Sequence, residues 1–193
     1  YYSAISYIDD KVGQLLQALQ ATGRDQDTIV IFTSDHGDML GEHNLWYKMS
    51  WFEESARVPL IFHAPQHFAP KRVAAPVSLL DLLPTLVDLA TEGAGIPWAD
   101  AVDGHSLLPL LVADAAATPW RDHPVIGEYL AECVAAPLLL IRRGRYKYIC
   151  CEGDPDQLYD VTADPHEVTN LAALPEYTEV CQQFRQAVAQ RWD

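Results

Sequence analysis

The segment Thr28-Ile-Val-Ile-Phe-Thr-Ser34, which runs directly into Asp35-His36-Gly37-Asp38, decides the predicted fold of the chain. A continuous run of β-branched and aromatic residues is typical of a strand that is buried on both faces of a mostly parallel sheet. The run ends abruptly in polar residues. Because ligands bind just beyond the carboxyl ends of strands in open α/β sheets, we expect chemistry at Asp35 and His36.

The segments on either side of this strand fit an α/β layout. Residues 1–21 are predicted to form an amphipathic helix, because apolar residues alternate steps of three and four at Ile5, Ile8, Val12, Leu15 and Leu19. Residues 58–62 are predicted to form a second strand, and residues 77–91 a helix that Pro84 interrupts.

The character of the sequence changes after residue 123. Short strand-like runs separated by turn signals lie at residues 125–130, 137–142, 146–150 and 158–161. Residues 176–192 are predicted to form a closing helix. The chain is therefore predicted to contain two domains: residues 1–123 belong to an α/β domain, and residues 124–193 form a small subdomain with an antiparallel sheet and a terminal helix.

Composition excludes some classes of partner. The formal net charge of -14, from 13 basic and 27 acidic residues, argues against a nucleic-acid surface, since phosphate neutralisation requires clustered Lys and Arg. The sequence has no long apolar run and no signal-peptide pattern, so no membrane partner is predicted. The cysteines lack paired CxxC spacing, which favours reduced thiols in a cytoplasmic protein: Cys133, Cys150, Cys151 and Cys181.

Asp35 and His36 offer an oxygen and a nitrogen donor at a rigid strand end, which suits one side of a divalent-cation site. Two neighbouring ligands do not complete such a site. The alternative is that Asp35 caps the following turn and that His36 belongs to an ordinary loop.

Longer motifs surround this pair. They are Thr33-Ser-Asp-His-Gly-Asp-Met-Leu-Gly-Glu-His-Asn-Leu-Trp-Tyr-Lys48, Phe52-Glu-Glu-Ser-Ala-Arg-Val-Pro-Leu60 and, far downstream, Gln157-Leu-Tyr-Asp-Val-Thr-Ala-Asp-Pro-His-Glu-Val-Thr-Asn-Leu171. The chain resembles the sulfatase family of the alkaline phosphatase superfamily in these motifs, and the resemblance covers nearly its whole length. It implies the C-terminal part of an alkaline-phosphatase-like mixed sheet flanked by helices, followed by a small antiparallel sheet with a terminal helix.

The resemblance also implies roles for particular residues. Asp35 and His36 would be ligands of a single divalent cation, usually Ca²⁺ in sulfatases, with Mn²⁺ or a similar ion as the alternative. Lys48 would be catalytic and place its ammonium group on a sulfate oxygen. His43 would bind substrate or organise the metal site, with a structural role as the alternative.

Three charged residues in the second motif, Glu53, Glu54 and Arg57, are interpreted as a salt-bridged support for the loop. The family's nucleophile is a formylglycine made within a Cys-x-Pro/Ala-x-Arg motif, and this sequence has no such motif. Cys133 lacks the Arg at the required offset. The formylglycine is therefore expected in a preceding part of the protein, and this chain alone is expected to be an inactive fragment.

The stretch between Glu42 and Arg57 is more similar to choline-sulfatases than to arylsulfatases or glycosaminoglycan sulfatases. The resemblance therefore implies hydrolysis of choline sulfate, a small-molecule ester, and leaves a homo-oligomer open. Aromatic residues beside Glu53 could hold a quaternary ammonium or simply pack: Trp46, Tyr47, Trp51 and Phe52. The alternatives are a phosphonate monoester or phosphate diester hydrolase of the same superfamily, or a catalytically dead binding module.

Overall fold

The computed structural model describes residues 1–112, 123–132 and 134–192, which excludes Cys133. The helices are α1 (Tyr2–Ala21), α2 (Glu53–Ala56), α3 (Leu82–Ala90), α4 (Leu108–Val112) and α5 (Thr178–Trp192). The strands are β1 (Val30–Thr33), β2 (Met39–Leu40), β3 (Trp46–Tyr47), β4 (Leu60–His63), β5 (Val125–Tyr129), β6 (Leu138–Arg143), β7 (Tyr146–Cys151) and β8 (Gln157–Asp160). The chain divides into two compact units, one of Tyr1–Thr33 with Pro59–Lys71 and the other of Ser34–Val58 with Arg72–Asp193.

The first unit contains α1 and the pair β1 and β4. The two strands are antiparallel, with Val30 opposite His63 and Thr33 opposite Leu60. Residues of α1 and β1 line a shared apolar groove. The predicted burial of β1 on both faces is wrong for this chain: its residues are half-buried and Phe32 is exposed.

The second unit is built on a four-stranded antiparallel sheet in the order β5, β6, β7, β8. Ile141 of β6 lies opposite Tyr148 of β7, which in turn lies opposite Leu158 of β8. The sequence-based prediction of a small antiparallel sheet followed by a terminal helix is therefore confirmed.

The two faces of this sheet bury different partners. One face packs against α5 in a core made by Ile141, Tyr148, Leu158, Cys181 and Phe184. The opposite face contributes Leu140, Ile149 and Tyr159, which pack against Trp51 and Phe52. Full burial of a large apolar side chain is worth about 1.5–3 kcal/mol, so both layers contribute to stability. The sheet thus supports the segment that precedes α2.

Helix α3 follows a 3₁₀ turn, Leu79–Asp81, which Ser78 and Asp81 close with a capping box. The predicted interruption at Pro84 is wrong. Because α3 begins at Leu82, Pro84 falls in the first turn, where its missing N–H has no helical partner to lose. Thr85 is buried, and its hydroxyl donates to the carbonyl of Asp81 at 2.5 Å.

The predicted domain boundary after residue 123 borders residues 113–122, which lie outside the described part of the chain, and it stays a prediction. Among the helices that the structure describes, none combines the length and the apolar character that a membrane crossing requires.

Candidate active site

The turn that carries Asp35 and His36 is fixed by short-range hydrogen bonds. Ser34 Oγ donates to the carbonyl of His36 at 2.8 Å, and the N–H of His36 donates to Asp35 Oδ1 at 3.0 Å. His36 Nδ1 lies 2.8 Å from the carbonyl of Gly37. Since a carbonyl can only accept, Nδ1 is the donor in this contact, and Nε2 is the nitrogen that can accept from the Lys48 ammonium 2.9 Å away.

The three residues predicted to form the centre of the site lie together. Asp35 Oδ2 is 3.3 Å from His36 Nε2, and Lys48 Nζ is 2.9 Å from the same nitrogen. The Asp35 side chain is 82% exposed. Hydrogen bonds from its own N–H and from that of His36 lower the pKa of Asp35, so the group is a carboxylate at neutral pH.

A short hairpin returns the chain to this position. Strands β2 and β3 are antiparallel, with Leu40 opposite Trp46, and a 3₁₀ turn at Glu42–Asn44 joins them. The hairpin contains residues with a positive φ: Gly41, His43, Asn44 and Tyr47. The tight reversal brings Lys48 back beside His36, twelve residues earlier in the chain.

Asp35 and His36 fit one side of a divalent-cation site. Their donor atoms are 3.3 Å apart, a separation compatible with two ligands that each lie about 2.0–2.6 Å from a single ion. The Lys48 ammonium contacts the same Nε2 in this structure, so a bound ion would take the place of that contact. Within the described residues, no group of three or more His, Cys, Asp or Glu side chains could hold a metal. The pair therefore supplies part of a ligand set, and the assigned roles stay predictions.

His43 makes contacts of its own. Its ring stacks on Phe52 with centroids 3.8 Å apart, and Nε2 lies 2.9 Å from the carbonyl of His166. One ring face and one ring nitrogen are therefore used in packing. These contacts favour the structural alternative, and the substrate-binding role of His43 stays a prediction.

Helix α2 contacts both ends of the site. The N–H of Gly37 donates to the carbonyl of Ser55 at 2.8 Å, and Ser55 Oγ donates to the carbonyl of Lys48 at 2.6 Å. A Cβ atom at Gly37 would lie 2.0 Å from the carbonyl oxygen of Glu54. Glycine is required at this position because two backbone segments approach so closely.

The predicted salt-bridged support exists, but its partners are different from those expected. Within the described part of the chain, Glu53 pairs with Lys147 at 2.7 Å and with Arg142 at 3.6 Å rather than with Arg57. Lys147 also lies 2.8 Å from Glu167 Oε1. Glu167 Oε2 accepts a hydrogen bond from the N–H of Glu53 at 2.6 Å. We call Glu53, Lys147 and Glu167 the buried ion cluster.

Sequence reasoning missed the residues of this cluster in β7 and the C-terminal motif. Glu167 lies within the quoted motif that ends at Leu171, but the motif alone assigns it no partner. Lys147 is a charged residue inside a run that is otherwise typical of a strand. A charged residue in such a run indicates either a buried ion pair or a solvated strand edge. The sequence offers no means of choosing between these two interpretations.

The aromatic residues near Glu53 divide into packed and exposed pairs. Trp51 Nε1 donates to the carbonyl of Leu138 at 2.8 Å, and Phe52 lies between His43 and Tyr159. Trp46 and Tyr47 are exposed. Two of the four rings are therefore used in the core of this unit, and Glu53 already has cationic partners.

The chain belongs to the sulfatase family. The family model described as Sulfatase matches residues 1–92. A choline-sulfatase of Rhizobium meliloti is 46% identical over 200 residues, which covers 100% of this chain and 37% of that protein. Arylsulfatase K of Gallus gallus is 39% identical over 179 residues, which covers 89% of this chain and 33% of that protein. The chain therefore spans about a third of the length of these relatives.

Solved structures show the same fold. A protein in complex with its substrate D-glucosamine-2-N,6-O-disulfate matches with a TM-score of 0.87 and 29% identity, over 99% of this chain and 39% of that one. A phosphonate monoester hydrolase of Agrobacterium radiobacter matches with a TM-score of 0.82 and 33% identity, over 98% of this chain and 40% of that one. The predicted fold, the C-terminal part of an alkaline-phosphatase-like α/β domain, is confirmed.

Proposed function

We propose that the protein containing this chain hydrolyses sulfuric esters and that choline sulfate is its substrate. The observation that carries the proposal is the convergence of Asp35, His36 and Lys48, with Nε2 of His36 lying 3.3 Å from the carboxylate and 2.9 Å from the ammonium. The identity of 46% to a choline-sulfatase over the whole chain supports the choice of substrate.

In the proposed reaction, water and the sulfate ester yield an alcohol, sulfate and a proton. The sulfur–oxygen bond to the leaving group breaks, and negative charge develops on the oxygens. A fixed Lys48 ammonium donates hydrogen bonds to one of these oxygens, and such a preorganised cation in a partly dry site is worth about 3–4 kcal/mol of transition-state stabilisation.

Asp35 and His36 would hold one divalent cation, Ca²⁺ or Mn²⁺, from one side, through Oδ2 and Nε2. The bound ion would polarise the sulfate group as a Lewis acid. The hydrogen bond between Nδ1 of His36 and the carbonyl of Gly37 fixes the ring so that Nε2 remains available as a ligand. The formylglycine nucleophile is assigned to a part of the protein outside this chain.

A second candidate is a phosphonate monoester hydrolase, because such an enzyme matches this chain with a TM-score of 0.82 and 33% identity. Phosphoryl and sulfuryl groups present similar oxygens, and Lys48 would contact either. The two candidates differ in the ester that is turned over fastest.

The experiment compares kcat/KM of the complete protein on choline sulfate, on an aryl sulfate and on an aryl phosphonate monoester. We expect choline sulfate to give the highest value. A higher value for the phosphonate would favour the second candidate, and no turnover of any ester would refute both. Chelation followed by the return of Ca²⁺ or Mn²⁺ identifies the ion that restores activity.

A further inference from the structure

The single turn of α2 is hydrogen-bonded to both halves of the candidate site. Ser55, which is 2% exposed, donates its hydroxyl hydrogen to the carbonyl of Lys48 at 2.6 Å. Its carbonyl accepts the N–H of Gly37, the residue after His36, at 2.8 Å. One buried residue therefore connects the backbone of Lys48 to the turn that carries Asp35 and His36.

The backbone at Gly37 packs directly against the backbone of α2. A Cβ atom at Gly37 would lie 2.0 Å from the carbonyl oxygen of Glu54 and 3.4 Å from that of Ser55. The two main chains are thus in direct contact. Any shift of α2 must move the Asp35–His36 turn or break the hydrogen bond between Gly37 and Ser55.

The start of α2 is anchored from a distant part of the chain. Glu167 Oε2 accepts the N–H of Glu53 at 2.6 Å, and Lys147 lies 2.7 Å from Glu53 and 2.8 Å from Glu167. The side chains of Lys147 and Glu167 are 2% and 0% exposed. Because the buried ion cluster is desolvated, displacing α2 would leave buried charges unpaired.

We propose that Ser55 is a positioning residue for the reaction, and that it holds the Lys48 backbone and the Asp35–His36 turn at a fixed separation. The inference rests on the proposed function for its kinetic readout. Lys48 reaches Nε2 of His36 through a long side chain that does not by itself fix the ammonium group, so the precise position of that group depends on where the Lys48 backbone is held. Loss of the Ser55 hydroxyl removes the hydrogen bond that holds this backbone.

The test uses the complete protein with Ser55→Ala, Ser55→Thr and the control Thr85→Val. Thr85 is 0% exposed and, like Ser55, donates its hydroxyl hydrogen to a main-chain carbonyl, at 2.5 Å, but it lies in α3. Its hydroxyl also accepts the N–H of Leu107 at 2.8 Å. The control therefore removes a buried hydroxyl and its hydrogen bonds away from the loop. We measure kcat and KM on choline sulfate, the melting temperature, and the binding of Mn²⁺ alone by the electron paramagnetic resonance of the free ion.

Ser55→Ala is expected to lower kcat about tenfold to a hundredfold with little change in KM, since a displacement of about 1 Å has that effect on catalysis. It should weaken Mn²⁺ binding about tenfold, as loss of a group that orients a ligand does. Thr85→Val should lower the melting temperature at least as much as Ser55→Ala does but leave kcat and Mn²⁺ binding as in the wild type. Ser55→Thr, which keeps the hydroxyl, should have the kcat and the Mn²⁺ affinity of the wild type.

Equal losses of kcat and of Mn²⁺ affinity in Ser55→Ala and Thr85→Val would overturn the inference, because general destabilisation would then explain them. If the wild type hydrolyses no ester, the proposed function fails, and the Mn²⁺ comparison alone still decides the role of Ser55. If Ser55→Ala does not fold, Ser55→Cys replaces it. Because S–H is a weaker donor than O–H, Ser55→Cys should have a lower kcat and a lower Mn²⁺ affinity than the wild type. Wild-type values would overturn the inference.

Discussion

The substitution Lys147→Met is expected to destabilise the folded protein by about 3–5 kcal/mol, because it leaves buried carboxylates without their cation. Lys147 Nζ lies 2.7 Å from Glu53 Oε1 and 2.8 Å from Glu167 Oε1. At an effective dielectric constant of about 20, one such pair attracts by about 6 kcal/mol. Arg142, 3.6 Å from Glu53, compensates part of this loss, and local relaxation and water entry compensate more. The net cost therefore falls within the stated range.

Urea unfolding of the complete protein at neutral pH measures this cost, with Lys11→Met as the matched control. Lys11 is 45% exposed and 3.5 Å from Asp10, so the same substitution there should cost under about 0.5 kcal/mol. Adding Glu167→Gln to Lys147→Met should recover part of the loss, since it removes one stranded carboxylate. A cost of Lys147→Met no larger than that of Lys11→Met would refute the reasoning and show that water already solvates the buried ion cluster.

Three further predictions concern catalysis, packing and pH. Lys48→Ala should lower kcat on choline sulfate by about 100- to 1,000-fold and change stability by under about 0.5 kcal/mol; near-wild-type turnover would contradict its catalytic role. Gly127→Ala should cost about 1–3 kcal/mol in thermal unfolding, because the new methyl group would meet the Trp51 ring at 2.6 Å, whereas Gly13→Ala in α1 meets nothing and should stabilise. Burial raises the pKa of Glu167 above its usual 4.5. The protonated side chain therefore stabilises the folded state fully below pH 4.5, and this contribution is lost as the pH rises through the pKa of the folded state. Urea midpoints of Glu167→Gln should therefore rise relative to the wild type as the pH increases from about 4.5, and a constant difference would count against the shift.

Local sequence patterns predicted the helices and strands in which apolar residues recur at a regular spacing. The three- and four-residue steps of α1 and the short runs of β5 to β8 correspond to observed elements, because side-chain periodicity depends on neighbouring residues alone. Strand β4 begins at Leu60 rather than at residue 58. Pro59 has no N–H to donate to a partner strand, so pairing starts after it.

Distant contacts could not be predicted in this way. Glu53 and Glu167 are 114 residues apart, and no local spacing identifies them as partners. The antiparallel pairing of β1 with β4 is likewise a property of the folded chain, since an apolar run fits either strand direction.

The candidate site shows the same division. Asp35, His36 and Lys48 were identified from motif residues, and the structure places the Asp35 carboxylate and the Lys48 ammonium each beside Nε2 of His36. Ser55 was not identified, because both of its hydrogen bonds to the site are made with main-chain atoms of other residues. Main-chain partners leave no side-chain signature in a sequence.

The large separation in sequence between Glu167 and the candidate site has a genetic consequence. Its carboxylate holds the N–H of Glu53, at the start of the turn that contacts both Lys48 and Gly37. A stop codon between codons 57 and 167 would delete this group and leave every codon of the candidate site intact. Such nonsense alleles lose Glu167 together with the core that α5 makes with the sheet, so they should have the null phenotype of alleles that change Asp35 or Lys48. Missense changes at exposed residues of α5 should have no phenotype.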